Sequence, residues 1–325
     1  MSHLQAGVVA LVIAGSLLGA PTTAQECPQP VGVHVNTCPG VSDLVVAGDF
    51  VFAFAIRSGA ETPVPEWRVE QAIADLEGIA DPSLSRNLTL SALADFQTHA
   101  ARIAASGVTA VSYNTEYGMT PAAEINDLPA SIVAFADLAH GMGRLASWGP
   151  MSAIYDQMDQ GGHLPTILPT LDRIGLQMQG FLYHQGLPGL MATYEARAAT
   201  IRGIDPDIAI VVQLGVDLNG VEDCVAGFRA LCDQPDAPDA HVPFTPQSVA
   251  ELREVLTRTR YGDADGDLDG DGDVDLADFE KLIACWTGPQ AGPVGSACLA
   301  GDADYDGDID LRDFAAFQAC IDPPP

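Results

Sequence analysis

Positive charge is scarce in this chain of 325 residues: 14 Lys and Arg stand against 44 Asp and Glu, for a formal net charge of −30. A surface of that sign repels phosphate backbones, so nucleic acid is excluded as a partner. After the N-terminus no apolar run approaches the ~18 residues of a membrane span, and no transmembrane helix is expected. No Gly-x-Gly-x-x-Gly follows a strand pattern and no Gly-Lys-Ser/Thr loop occurs, so nucleotide-binding folds lack their signature. No Cys-x-x-Cys pair is present, and His140 and His184 are isolated, which leaves no zinc or histidine metal centre to argue for.

The acidic residues, by contrast, are organised. Asp267-Leu268-Asp269-Gly270-Asp271-Gly272-Asp273-Val274-Asp275-Leu276-Ala277-Asp278 is nearly repeated as Asp302-Ala303-Asp304-Tyr305-Asp306-Gly307-Asp308-Ile309-Asp310-Leu311-Arg312-Asp313, 35 residues later. From Asp263 onward there are 16 acidic and 2 basic residues, so nearly half of the net charge sits in this stretch. So many carboxylates in so short a loop repel one another unless a hard cation lies among them. Calcium takes six to eight oxygens, and a twelve-residue loop supplies them from positions 1, 3, 5, 7 and 12, with Gly at 6 for the sharp turn. Positions 1, 3 and 5 are Asp267, Asp269, Asp271 and Asp302, Asp304, Asp306. Position 7 is Asp273 or Asp308, expected to act through its carbonyl. Position 9 is Asp275 or Asp310, expected to act through a water, and position 12 is Asp278 or Asp313. At position 8, Val274 and Ile309 are expected to pair across a short two-stranded contact. Phe279, Leu282, Ile283 and Phe314, Phe317, Ile321 recur at helical spacing after each loop, so each unit reads as loop then helix. A merely solvated acidic tail would not need those apolar residues.

A tandem loop-helix pair with Asp at position 12 and no long helix before the first loop resembles the type I dockerin family over about 262–321. The resemblance implies two bound calcium ions and docking onto a cohesin-like or other cell-surface protein, usually to place a polysaccharide-degrading enzyme. Positions 10 and 11, often small hydroxyl residues in that family, are Leu276-Ala277 and Leu311-Arg312 here.

Residues 6–20 form an apolar run too short to span a bilayer comfortably, followed by Thr22-Thr23-Ala24 before Gln25. Residues 1–24 therefore read as a secretory signal peptide, with a buried or anchoring helix as the alternative. All seven cysteines follow that point. Cys27 with Cys38 and Cys224 with Cys232 are close enough in sequence to close small loops in an oxidising compartment. Cys285, Cys298 and Cys320 fall in the acidic region, and the odd count leaves at least one thiol unpaired or intermolecular. An extracellular location follows from both features.

Between these ends the pattern alternates. Strand-like runs occupy 44–56, 108–113, 145–148, 174–183 and 208–214, and helical runs occupy 90–106, 129–140 and 188–202. Thr245-Pro246 marks the start of a last helix. Strand and helix in alternation argue for a parallel sheet wrapped by helices. The expected fold class is α/β: a TIM-type (β/α) barrel, complete or incomplete, then a small all-α calcium module. A flavodoxin-like or other open α/β sheet is the rival. The expected division is 1–24 signal peptide, 25–41 Cys-containing segment, 42–260 barrel-like domain and 262–322 calcium module.

Barrel active sites form at the C-terminal ends of strands. The layout resembles secreted glycoside-hydrolase-type barrels, and glycoside hydrolysis ordinarily uses two carboxylates. Glu116, which follows an apolar strand among Tyr113, Asn114 and Tyr117, is the first candidate, with Asp217 or Asp49 as its partner. Tyr113, Asn114, Gln177, Gln179 and Gln213 are candidate sugar contacts, with Gln177 and Gln179 expected on one strand face. Trp148 suits a sugar platform or, more often, a core position. Two functions are in play: a hydrolase of O-glycosyl compounds, or a non-catalytic carbohydrate-binding or scaffold protein on a degenerate barrel.

Overall fold

The computed structural model describes residues 29–35, 44–55, 63–261, 266–269, 274–290 and 294–321; the expected leader at 1–24, Cys27, Cys38, Asp271 and Asp273 lie outside them. Strands β1 (Gly32–His34), β2 (Phe50–Phe54), β3 (Ser85–Leu90), β4 (Ala110–Thr115), β5 (Leu145–Pro150), β6 (Arg173–Gln177), β7 (Ala209–Gly215) and β8 (Ala240–Phe244) pair in sequence order, all parallel. A bridge between Val31 and His241, with His241 N–H donating to Pro30 O at 3.0 Å, brings β8 back to β1. The result is an eight-stranded TIM-type barrel, so the open-sheet alternative and the incomplete barrel are both set aside.

Helices α1 (Glu66–Glu77), α2 (Leu93–Ala104), α3 (Ala122–Asn126), α4 (Leu128–Gly141), α5 (Ser152–Gln160), α6 (Leu164–Ile167), α7 (Gln179–Ile204), α8 (Val216–Cys232) and α9 (Val249–Tyr261) fill the connections. Parallel neighbours require such crossovers. Alternation along each strand sends Val51, Leu88, Val111, Trp148, Ile174 and Val212 outward into one core with the helices. Each such side chain contributes about 1.5–3 kcal/mol on full burial. The inward set differs: a small apolar cluster of Phe50, Phe52, Val211, Ala240 and Val242 fills one side only. Gly32 makes that filling possible, because a Cβ there would sit 2.3 Å from the Phe50 ring and 2.8 Å from Val242.

Several expectations need correction. β1 lies inside the 25–41 segment, since three residues suffice for it among Pro and Cys signals. The 44–56 run yields only β2, and Asp49 precedes that strand at the N-terminal end of the barrel. There Asp49 accepts from Val31 N and Val46 N, both at 2.8 Å, and pairs with Arg260 Nη2 at 2.5 Å. It is a buried structural clasp and not a partner for Glu116. β6 ends at Gln177 and α7 starts at Gln179, so those two side chains do not share a strand face. α7 and α8 are each broken by a non-helical glycine, Gly186 and Gly220, which sets a short helix at the barrel mouth before the long one.

The C-terminal region is all-α, with α10 (Leu276–Ala284), a 3-10 turn at Ser296–Gly301 and α11 (Leu311–Cys320). Leu282, Val294, Leu299, Ile309 and Phe317 form its core, and the Phe279 and Phe314 rings meet at 5.8 Å. Val274 and Ile309 share that cluster, with no ladder between them among the described residues, and Ile309 N–H donates to Thr287 Oγ1 at 2.8 Å. Cys285 and Cys298 are disulfide-bonded, with Cα atoms 5.5 Å apart, and Cys320 is a free thiol. Cys224 is free and buried while Cys232 is disulfide-bonded, so the expected loop between them does not form. Both lie on α8, and eight residues of helix separate them by roughly 12 Å, beyond disulfide reach. Among the described residues no helix is long and apolar enough to cross a membrane.

Candidate functional site

β4 is buried along its whole length and then delivers Glu116 to the C-terminal mouth of the barrel. The turn is pinned by Glu116 N–H donating to Thr120 Oγ1 at 3.0 Å. Asn114 Nδ2 donates to Glu116 Oε1 at 3.0 Å. Gln177 Nε2, from β6, donates to Asn114 Oδ1 at 3.0 Å and to Glu116 Oε1 at 3.3 Å. Two amides from two strands thus fix one carboxylate oxygen, while Oε2 has no hydrogen-bond partner among the described residues. Such an arrangement orients a carboxyl group and leaves one oxygen available to exchange a proton with a ligand.

The other expected site residues separate. Asn114, Gln177 and Gln213 line a cavity of about 60 Å³ that runs down the barrel axis. Tyr113 faces outward, fully buried against Phe96 and Phe135, and its hydroxyl donates to Glu124 Oε2 at 2.5 Å. It is a core tyrosine, because odd-numbered β4 residues point to the helices. Trp148 is likewise core, with Nε1 donating to Thr115 Oγ1 at 3.0 Å. Gln179 packs beside Gly215 with Oε1 buried and unpartnered. Asp217 opens α8 and accepts from the Thr245 hydroxyl. Neither Glu116 nor Asp217 has the other as a hydrogen-bond partner, and β4 and β7 stand three strands apart in the ring. Among the described residues no carboxylate lines the cavity.

The cavity wall also carries residues that the sequence reading passed over. Asn87 and Thr89 from β3, Ser112 from β4, Ser147 from β5 and Arg173 from β6 face inward, opposite Phe50, Phe52 and Phe54. The signal was present in β3, where Asn87 and Thr89 alternate with Leu88 and Leu90; Asn87-Leu88-Thr89 also has the form of a glycosylation sequon. At 5% exposure inside the barrel it is not open to glycosylation.

Among the described residues the acidic loops gather carboxylates into three groups. Carboxylate oxygens of Asp267, Asp269 and Asp278 lie within 4.8 Å of one another, as do those of Asp302, Asp304 and Asp306, and of Asp308, Asp310 and Asp313. Asp275 and Asp310 are N-caps of α10 and α11, each reciprocated by Asp278 or Asp313 in a capping box. Asp278 Oδ1 accepts from Asp269 N at 2.9 Å, and Asp313 Oδ1 accepts from Ala303 N at 2.7 Å, so position 12 also ties down the loop start. Burial, then the Asp313 charge, pushes the Asp302 carboxyl up to about 7. Burial raises Asp304 and Asp313 as well. Asp302 Oδ1 and Asp308 Oδ1 are buried without a partner. Orphaned buried oxygens among crowded carboxylates fit a hard cation. Two cations of the chain reach loop 2: Arg312 Nη1 lies 3.1 Å from Asp306 Oδ2, and Arg253 of α9 packs under Gly307. A Cβ at Gly307, where φ is +96°, would come within 3.0 Å of Arg253 Nη2.

No protein-family model matches the chain. No curated protein matches it. Among solved structures, the catalytic domain of a family GH18 chitinase from the fern Peteris ryukyuensis is similar over 70% of this chain and 97% of that chain, at 9% identity and TM-score 0.51. A protein from Aquifex aeolicus VF5 (73% and 94% covered, 11% identity, TM-score 0.44) and the tryptophan synthase alpha chain of Legionella pneumophila subsp. pneumophila (66% and 79%, 12%, 0.41) are more distant. The likeness to the fern chitinase is one of fold, that of a TIM-type barrel.

Proposed function

We propose that this is a secreted, calcium-loaded protein whose barrel hydrolyses a polysaccharide, with Glu116 as the proton-donating carboxyl group. One observation carries the reading: Glu116 is clasped by the Asn114 and Gln177 amides at the mouth of a polar cavity, with Oε2 left free. Glycoside hydrolases usually pair two carboxylates, but substrate-assisted families, GH18 among them, dispense with the second. A barrel with one placed carboxylate and no acidic neighbour in the cavity suits that chemistry better than the Glu116–Asp217 pair expected from sequence. Chitin oligomers therefore head the substrate panel. Gln213 and the neighbouring polar wall would orient the sugar.

In this reading the domains are 1–24, 25–41, 42–260 and 262–322, with β1 supplied by the second. Two calcium ions sit in the C-terminal module, one on Asp267, Asp269, Asp271, Asp278 and the Asp273 carbonyl, the other on Asp302, Asp304, Asp306, Asp313 and the Asp308 carbonyl. The repeat of cation-type positions supports this, and the dockerin resemblance gives the module a docking role toward a surface protein. Leu276 and Leu311, 66% and 71% exposed, would make that contact apolar.

The second reading, a carbohydrate-binding scaffold on a degenerate barrel, is favoured by the lack of any carboxylate on the cavity wall. Reducing-sugar release from the panel by the full chain, beside Glu116→Gln, separates the two. Release that Glu116→Gln abolishes supports the hydrolase; binding by calorimetry without release supports the scaffold; neither binding nor release rejects both.

A further inference from the structure

We propose that the interior of the barrel holds a small monovalent anion, chloride or a formate-sized carboxylate, on the guanidinium of Arg173. Arg173 opens β6 and points into the cavity. Its side chain makes no hydrogen bond and no ion pair among the described residues; its one contact of note is the Phe50 ring, 4.8 Å from Cζ. Nη1 is buried with no partner. A guanidinium stays protonated in proteins, so this positive charge must be compensated in place.

The two carboxylates whose charge reaches it are already engaged. Asp172 Oδ2 accepts from Ala146 N and from His140 Nε2, both at 2.8 Å. Asp239 Oδ2 accepts from Ile210 N at 2.7 Å and pairs with Arg202 Nη2 at 2.6 Å. Burial lowers the guanidinium from its ordinary value, which is the mark of a charge deprived of solvent.

The cavity itself supplies what an anion needs. Thr89, Ser112 and Ser147 are buried on its wall and make no side-chain hydrogen bond among the described residues. Asn87, 5% exposed, also faces the cavity, and its side chain makes no hydrogen bond among the described residues. Among the described residues no carboxylate lines the wall; Glu116 stands at the mouth, held by Asn114 and Gln177. Water alone would satisfy the donors but not the charge, whose burial is costly unless paired. A volume of about 60 Å³ admits chloride, nitrate or formate. Arg173 and Gln177 stand at opposite ends of β6 on the wall of one cavity, and the proposal rests on Arg173 and not on the role given to Glu116.

The test is thermal unfolding of the full chain, saturated with calcium gluconate, at constant ionic strength. Gluconate is replaced stepwise by chloride, nitrate or formate. A ligand of the folded state multiplies the folding equilibrium constant about tenfold for each tenfold rise in concentration above its dissociation constant. The midpoint should climb with the small anions, and Arg173→Met should lose that dependence. Equal midpoints in gluconate and in the small anions would overturn the proposal, as would an unchanged dependence in Arg173→Met. If Arg173→Met does not fold, crystals of the unaltered protein soaked in bromide decide. An anomalous peak within hydrogen-bonding distance of Arg173 Nη1 supports the site, and its absence there overturns it.

Discussion

Calcium binding and pH should act on the second acidic loop with opposite signs. The perturbation is a pH series from 5 to 8, with and without calcium. Burial and the neighbouring Asp313 hold the Asp302 carboxyl near 7, far above the ~3.8 of an unfolded chain. A folded value above the unfolded one means that the folded state carries a proton the unfolded state lacks between roughly pH 4 and 7. Without metal, stability is therefore fullest at the acid end of that window and falls as pH rises through it. With calcium the slope reverses, because the ion needs the carboxylate and must displace the proton. A single group near 7 is about one-tenth ionised at pH 6 and about one-hundredth at pH 5, so affinity should fall roughly tenfold and then nearly a hundredfold relative to pH 8. Asp304 and Asp313, also raised by burial, make the fall steeper. Calorimetric titration of the full chain reads the affinity, and unfolding midpoints in chelator read the metal-free slope. Affinity that is flat from pH 6 to 8, or metal-free stability that rises over the same range, would refute the reasoning. Asp302→Asn should both weaken the second site and remove most of its pH dependence.

Three further outcomes follow from the packing. Asp49→Ala should lower urea-unfolding stability by about 3–5 kcal/mol, because it strands the buried Arg260 charge and two backbone N–H groups where β1 meets β2; a loss below about 1 kcal/mol would count against the clasp. Burial pushes His241 down to about 3, so the unfolded chain protonates first and stability drops as pH falls below about 6.5, by roughly 2 kcal/mol at pH 5, a drop that His241→Gln should not share. Replacing Cys285 and Cys298 together by Ser removes a link between residues 13 apart and should cost the C-terminal module about 3 kcal/mol, read as earlier unfolding of that region in hydrogen exchange.

The barrel was legible where strands read as apolar runs between turn signals. β4, β5 and β7 fall within a residue or two of their sequence-based bounds, and so does α4, whose Pro129 marks the first turn. β1 and β8 escaped because three to five residues among Pro and His carry no periodicity. β3 escaped because its inward residues are Asn87 and Thr89, so its alternation looks like a polar loop. That failure is informative: a barrel usually fills its axis with branched apolar residues, and this one breaks the rule on the side where Arg173 stands. Glu116 was found because it ends an apolar strand. Asn114 and Gln177 were named as sugar contacts; the structure shows that they also hold Glu116, a contact between β4 and β6 that sequence spacing does not reveal. Tyr113 was misread because its neighbours in sequence, Ser112 and Asn114, face the other way. The clustering of acidic side chains was legible too, since a repeat of carboxylates needs no tertiary context to be read, and the structure gathers them in groups that could hold a metal ion.

The two ends of the chain pose the same electrostatic problem with opposite signs. The barrel axis holds the Arg173 guanidinium with no hydrogen-bonded anion among the described residues, and the C-terminal loops crowd carboxylates that Arg253 and Arg312 offset only in part. Neither arrangement gains by folding unless a ligand arrives, so both regions should owe part of their stability to small ions. The joint between them shows how one can be felt by the other. Arg253 projects from α9 under Gly307, and its charge lowers the Asp302 carboxyl against the burial that raises it. Seven residues further along α9, Arg260 clasps Asp49 at the floor of the barrel. A cation entering loop 2 would compete with Arg253 for the same carboxylate field, and α9 is the rigid element through which that competition reaches the barrel.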